Sequence, residues 1–171
     1  MNRNMLVGLL IRARFGRTGA WTRRRGSGDR VAELTPDEDE AELIQANARF
    51  YRAFESLDLG EMEQVWSHAD HVRCIHPGWA LLAGWDAVRE SWDAIFKGTR
   101  EMRFSIGDVR PYVDADLGWV TCTEHILSHS RGQVAVTSLL ATNLFERRRG
   151  DWLLIHHHAS HILAGGDPGA A

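Results

Sequence analysis

The sequence predicts an α+β fold: a cone-shaped, curved antiparallel β-sheet, a half barrel, packed on three N-terminal helices. Two observations carry this. Apolar residues recur at helical spacing up to Gly98, then alternate with a period of two as far as Ile162. The breaks between the alternating runs are short enough for hairpins, and helices followed by a run of antiparallel strands gather on one face of a bent sheet. A curled sheet closed by helices encloses a pocket.

The first helix is expected from Thr35-Pro36-Asp37-Glu38, where Thr35 caps, Pro36 suits the first turn and Glu38 closes a capping box. Leu43, Phe50, Phe54 and Leu57 then form one apolar stripe. Asp58 with Glu61 repeats the box and starts a short helix from Leu59 to about Ser67, burying Met62 and Trp66. His71–His76 reads as a brief strand stopped by Pro77-Gly78. Trp85, Val88, Trp92, Ile95 and Phe96 make a third amphipathic helix ended by Gly98. Strands are expected at Arg100–Asp108, Trp119–Ser128, Gln133–Glu146 and Trp152–Ile162, with Pro111 among the breaks.

The 171 residues are 44% hydrophobic and 25% charged, as in one ordinary globular domain. No apolar run approaches the ~20 residues of a spanning helix. Two cysteines, Cys74 and Cys122, are too few for a disulfide scaffold or a cysteine-rich zinc site, and a cytoplasmic location is expected. The net charge of −3 is divided: residues 1–32 hold eight Arg against Asp29 alone, and the remainder is acidic. Residues 1–34 are read as a disordered basic leader, or as sequence upstream of a start near Val31, residues 35–162 as the domain, and residues 163–171 as a disordered tail. Neither a nucleic acid nor a membrane is expected as partner. No glycine-rich phosphate loop is present, and no cofactor is expected.

Phe50-Tyr51-Arg52-Ala53-Phe54, Ile75-His76-Pro77-Gly78-Trp79, Gly84-Trp85-Asp86-Ala87-Val88, Thr142-Asn143-Leu144-Phe145, Gly150-Asp151-Trp152 and His156-His157-His158-Ala159-Ser160 form an ordered set. Over about residues 38–161 this set resembles the SnoaL-like branch of the nuclear transport factor 2-like superfamily. That resemblance implies a dimeric cone of curved sheet capped by helices. Its members include ketosteroid isomerases, polyketide cyclases, dehydratases and the non-catalytic association domain of calmodulin-dependent kinase, so the fold does not settle the function.

His76 resembles the position of the isomerases' general base, a carboxylate there and an imidazole here. It is either a base or a histidine bonded to a loop carbonyl. Phe50 stands where the isomerases carry an oxyanion-stabilising tyrosine, with Tyr51 one place off. Asn143 lies nearest their second oxyanion donor, and an amide can donate without a shifted pKa. By analogy with the kinase association domain, Glu124, Asn143 and His157 face the pocket with Cys122 between them, and none of that domain's ligand-binding arginines is kept. Phe50, Val88 and Trp92 are candidate ligand contacts from the helices, although large aromatic residues usually form core. The histidines offer metal-ligand chemistry, but successive residues on a strand point to opposite faces, and no metal site is expected.

The expected function is binding of a small hydrophobic ligand, with cofactor-free acid–base catalysis by His76 and Asn143. The reaction would be an isomerisation, cyclisation or dehydration of a small carbonyl or polyketide-type compound. The alternative is a non-catalytic ligand-binding or self-association module. A homodimer is expected through the outer face that carries Trp119, Thr121, Thr123 and His125.

Overall fold

The computed structural model describes residues 36–130 and 133–162. The expected leader, the Thr35 cap and the tail from 163 lie outside the described residues. The order of elements is α1 (Pro36–Ser56), α2 (Leu59–Val65), β1 (Arg73–Ile75), β2 (Leu82–Ala83), α3 (Trp85–Gly98), β3 (Thr99–Asp114), β4 (Leu117–Ser130), β5 (Gln133–Arg148) and β6 (Asp151–His161). The strands form one curved, unclosed sheet in the order β2-β1-β6-β5-β4-β3. Three helices on a curved half barrel match the architecture the periodicities predict. Among the described residues no helix is long and apolar enough to cross a membrane.

Three helix boundaries have a local cause. Leu57, at φ 55°, takes the left-handed conformation that stops α1. Asp58 then caps α2 by accepting a bond from the Glu61 amide at 3.0 Å. Gly84 precedes α3 at φ 83°, a conformation that favours glycine, and its amide donates to the Val72 carbonyl at 3.0 Å. At Gly118 a Cβ would stand 2.8 Å from Leu43 Cδ2, so the start of β4 packs tightly beneath α1.

The helices bury an aromatic layer against the concave face of the sheet. Phe50, Phe54, Trp66, Trp92 and Phe96 are buried, and Phe54 meets Trp92 at 4.6 Å between centroids and Phe104 at 4.7 Å. Trp85 lies at the edge, stacked on His68 at 4.3 Å.

The sheet departs from expectation at four points. β2 is a two-residue strand that has no period to detect. β1 is shorter than His71–His76 and pairs parallel to β6, with Cys74 opposite His157, so the sheet is mixed rather than purely antiparallel. β3 does not stop before Pro111. Its register shifts between Gly107 and Arg110, where Asp108 has φ 51°, and it continues to Asp114. Pro111 is tolerated because β3 is an edge strand, where a missing N–H breaks no second ladder.

The fourth departure matters most for the site. Between β5 and β6 the register shifts at Leu144/Phe145, which pair with His156 and Leu154 and leave Ile155 unpaired. The shift reverses the alternation of β6. Trp152 and Leu154 are buried before it, His157 and Ala159 after it. Strict alternation would have put these pairs on opposite faces.

Candidate functional site

The deeper part of the cone holds a cavity of about 320 Å³. His76 and His157 line it together with Glu124; Phe54, Met102, Ile126 and Leu139 supply apolar wall, and Trp79 stands at the rim, 48% exposed. A larger groove of about 600 Å³ runs between α1, α2 and the start of β6, lined by Arg49, Arg52, Glu61, Gln64 and Asp151. Those groups are well hydrated and none is deeply buried. The cone cavity instead combines apolar walls with a few convergent buried polar groups, which is the character of a ligand site.

His76 follows β1 and is fixed from α3. Ser91, three residues after Val88 on the buried face of α3, donates its single hydroxyl proton to the Val88 carbonyl at 2.6 Å. Its oxygen then accepts from His76 Nε2 at 2.9 Å. These bonds assign the Nε2–H tautomer and leave Nδ1 with the lone pair. Cys74 Sγ lies 3.9 Å from Nδ1 and 3.7 Å from Nε2, too distant for a strong bond to either. Trp92 packs edge-on to the ring at 4.6 Å and Trp79 at 5.1 Å. Burial in this shell lowers the His76 pKa to about 4, so the ring is neutral at pH 7.

The other polar groups form one buried chain. His157 Nδ1 donates to Asn143 Oδ1 at 2.7 Å, which leaves His157 Nε2 with its lone pair. Asn143 Nδ2 gives its two protons to Asn47 Oδ1 at 2.8 Å and Tyr51 Oη at 3.1 Å. Tyr51 donates to Glu124 Oε1 at 2.7 Å, and Cys122 Sγ lies 3.2 Å from the tyrosine oxygen. Since Tyr51 directs its hydroxyl proton at Glu124, the thiol is the donor in its contact with the tyrosine oxygen. Desolvation is the largest influence on each titratable member. It pushes Glu124 up to about 7, against the downward pull of the Tyr51 hydrogen bond. It pushes the Cys122 thiol up to about 11, Tyr51 well above the usual phenol range, and His157 well below the usual imidazole range. The Cys74 thiol is likewise raised by burial, so neither cysteine is a thiolate nucleophile.

The structure brings His76, Glu124 and His157 to one cavity wall, with the His76 and His157 rings 6.4 Å apart. It does not bring Asn143, Cys122, Phe50, Val88 or Trp92 to that wall. Asn143 and Cys122 lie behind it in the hydrogen-bonded chain. Phe50 and Trp92 belong to the aromatic layer, and Val88 is fully buried on the inner face of α3. Among the described residues no group of three His, Cys, Asp or Glu side chains is arranged to hold a metal ion. Sequence reasoning missed the roles of Tyr51, Asn47 and Ser91. A signal existed for the first two, since Leu43, Asn47 and Tyr51 follow at intervals of four along the stripe's border.

The family model described as a SnoaL-like domain matches residues 43–164. The chain belongs to the SnoaL-like domain family. Among solved structures, this SnoaL-like domain is similar to a candidate dehydratase of the NTF2-like family from Streptomyces avermitilis. The identity is 38%, the TM-score 0.72, and the match covers 76% of this chain and all of the other. It is also similar to a candidate calcium/calmodulin-dependent protein kinase type II association domain from Thiobacillus denitrificans, at 33% identity and a TM-score of 0.62, over 69% of this chain and 93% of that one. Among curated proteins it is 31% identical over 121 residues to the F-box protein SKIP8 of Arabidopsis thaliana. That match covers 71% of this chain, which spans only half the length of that relative.

The raised carboxyl of Glu124 makes a stability prediction. Its folded pKa lies above the ordinary carboxyl value of 4.5, so the stability it contributes is full below that value and declines as pH rises through about 7. Glu124→Gln keeps an oxygen for Tyr51 and removes the buried charge. Urea unfolding of the variant should show a gain on the order of 1–3 kcal/mol at pH 8 and little change at pH 5. Equal effects at the two pH values would show that Glu124 is not buried as a titrating acid.

Proposed function

We propose that this SnoaL-like domain binds a small, largely apolar carbonyl compound in the cone cavity and catalyses cofactor-free proton transfer, with His76 as general base. The observation that carries this is the tautomer of His76. Its Nε2–H is committed to Ser91, so the basic lone pair is on Nδ1, in a neutral ring that lines a largely apolar cavity. Nδ1 would take a proton from the carbon next to the carbonyl, and the oxygen would gain the negative charge. The resulting enolate is common to isomerisation, cyclisation and loss of a β-hydroxyl. The similarity to a candidate dehydratase at 38% identity supports reactions of this class.

A second observation supports self-association. The outer face of the sheet carries Leu127, Val134, Val136 and Leu140, with Val136 80% exposed, and Tyr112 stacks on Trp119 at 4.2 Å. A homodimer through this face would cover them, and the similarity to an association domain favours the same reading. Both cysteines are free and buried, which suits the reducing cytoplasm.

Two outcomes are expected. In D2O, proton NMR of 2-tetralone should show protein-accelerated exchange at its α-carbon, rising with pH through about 4 as His76 loses its proton. His76→Gln can still donate to Ser91 but cannot take a proton, and should reduce the acceleration about 100-fold or more while leaving the unfolding midpoint in place. Undiminished exchange by the variant would remove His76 from the reaction. Light scattering at micromolar protein should give twice the chain mass of 19.3 kDa; a clean monomer would exclude the dimer.

A further inference from the structure

The polar groups at the inner end of the cone cavity are anchored in the protein: His76 to Ser91, His157 to Asn143 and Glu124 to Tyr51. Three further polar side chains line the same cavity, Ser128, Thr137 and His161. Within the described residues none of the three makes a hydrogen bond or an ion pair to the protein. Ser128 and Thr137 are half-buried and His161 is exposed, so all three stand toward the mouth. Their hydrogen-bonding capacity is unspent on the protein, which leaves it for a ligand or for solvent.

Strand register orders these groups along the cone. On the concave face His157 pairs with Asn143, Ala159 with Ala141, and His161 with Leu139, which also pairs with Glu124. One step further along, Thr137 is opposite Ile126, and Ser128 follows between Met102 and Ala135. His157 and His161 are four positions apart, as are Glu124 and Ser128, and that spacing is about 13 Å of extended strand. Phe54, Ile95, Met102, Ile126 and Leu139 make the body of the wall apolar. The cavity thus has two polar ends joined by an apolar belt, and only the inner end carries the base.

Resting on the reading of the cavity as a carbonyl site, we propose that Ser128, Thr137 and His161 form a distal subsite, and that the ligand is an elongated carbonyl compound with a hydroxyl group at the end remote from the carbonyl. A hydroxyl suits these partners better than an ether does. The serine and threonine hydroxyls both donate and accept, the imidazole adds a donor, and a ligand hydroxyl can use both capacities. No Lys or Arg lines the cavity, so nothing at the mouth selects a carboxylate in its place. The subsite also sets orientation. With the hydroxyl held at the mouth, the carbonyl end is the one delivered to His76.

The test is equilibrium binding of three matched ketones to the full chain by calorimetry at pH 6.5: 2-acetylnaphthalene, its 6-hydroxy derivative and its 6-methoxy derivative, which accepts a hydrogen bond but cannot donate one. The wild type should bind the 6-hydroxy ketone at least about fivefold more tightly than 2-acetylnaphthalene, and the 6-methoxy ketone more weakly than the 6-hydroxy ketone. In the triple variant Ser128→Ala/Thr137→Val/His161→Ala the preference for the 6-hydroxy ketone should fall below about twofold. The variant breaks no hydrogen bond within the described residues, and its unfolding midpoint should stay in place. A wild type that binds the 6-hydroxy ketone no more tightly than 2-acetylnaphthalene, or no more tightly than the 6-methoxy ketone, would overturn the proposal, as would a preference that survives in the triple variant. The wild-type series needs no variant to fold. Equal affinity for the ketones would remove the distal subsite and leave the carbonyl site standing, whereas no binding of any of them would remove both.

Discussion

A single buried hydrogen-bond chain ties the first helix to three strands: Asn47 and Tyr51 on α1, Glu124 on β4, Asn143 on β5 and His157 on β6. Each of these groups would cost a few kcal/mol if buried without a partner. The chain therefore constrains the rotation of α1 about its axis and its height above the sheet, with much less tolerance than the surrounding apolar contacts. Turning the helix by one residue would place Phe50 where Tyr51 stands and leave Glu124 and Asn143 unsatisfied. Apolar packing holds the helix on the sheet; the polar chain chooses how it sits.

The same chain determines what the cavity can do. By absorbing the Nδ1–H of His157 and both amide protons of Asn143, it removes two groups that would otherwise compete as donors. On the other side, α3 reaches down with Ser91 and absorbs the Nε2–H of His76. The result is a hollow with lone pairs on two neutral rings and one carboxyl whose burial raises its pKa to about 7. Opposed proton affinities in one low-dielectric space are what acid–base chemistry near pH 7 requires.

Much of the architecture was legible in the sequence, because periodicity reports burial directly. The switch from a period of 3.6 to 2 at Gly98 falls at the junction of α3 and β3; alternation groups Cys122 with Glu124 and Ala141 with Asn143, and the family resemblance turns that face toward the pocket. Register shifts were not legible. The irregularity at Ile155 buries Leu154 and His157 on one side, and nothing in Leu153-Leu154-Ile155-His156 distinguishes it from continuous alternation. Pro111 was read as a break because a proline is compatible with a strand only at an edge, and edge position is a tertiary fact. Tyr51 was assigned by its distance from a family position rather than by its own helical phase, which points its hydroxyl toward Glu124.

The central claim is that the two buried histidines are neutral and held in opposite tautomers, His76 protonated on Nε2 and His157 on Nδ1. Long-range proton–nitrogen correlation NMR of the 15N-labelled protein at pH 7 reads this directly, since protonated and bare ring nitrogens resonate far apart. The account predicts a bare Nδ1 in His76 and a bare Nε2 in His157, with the His76 signals unchanged down to about pH 5 as its pKa of about 4 requires. An imidazolium at either position at pH 7, or a His76 ring protonated on Nδ1, would contradict it.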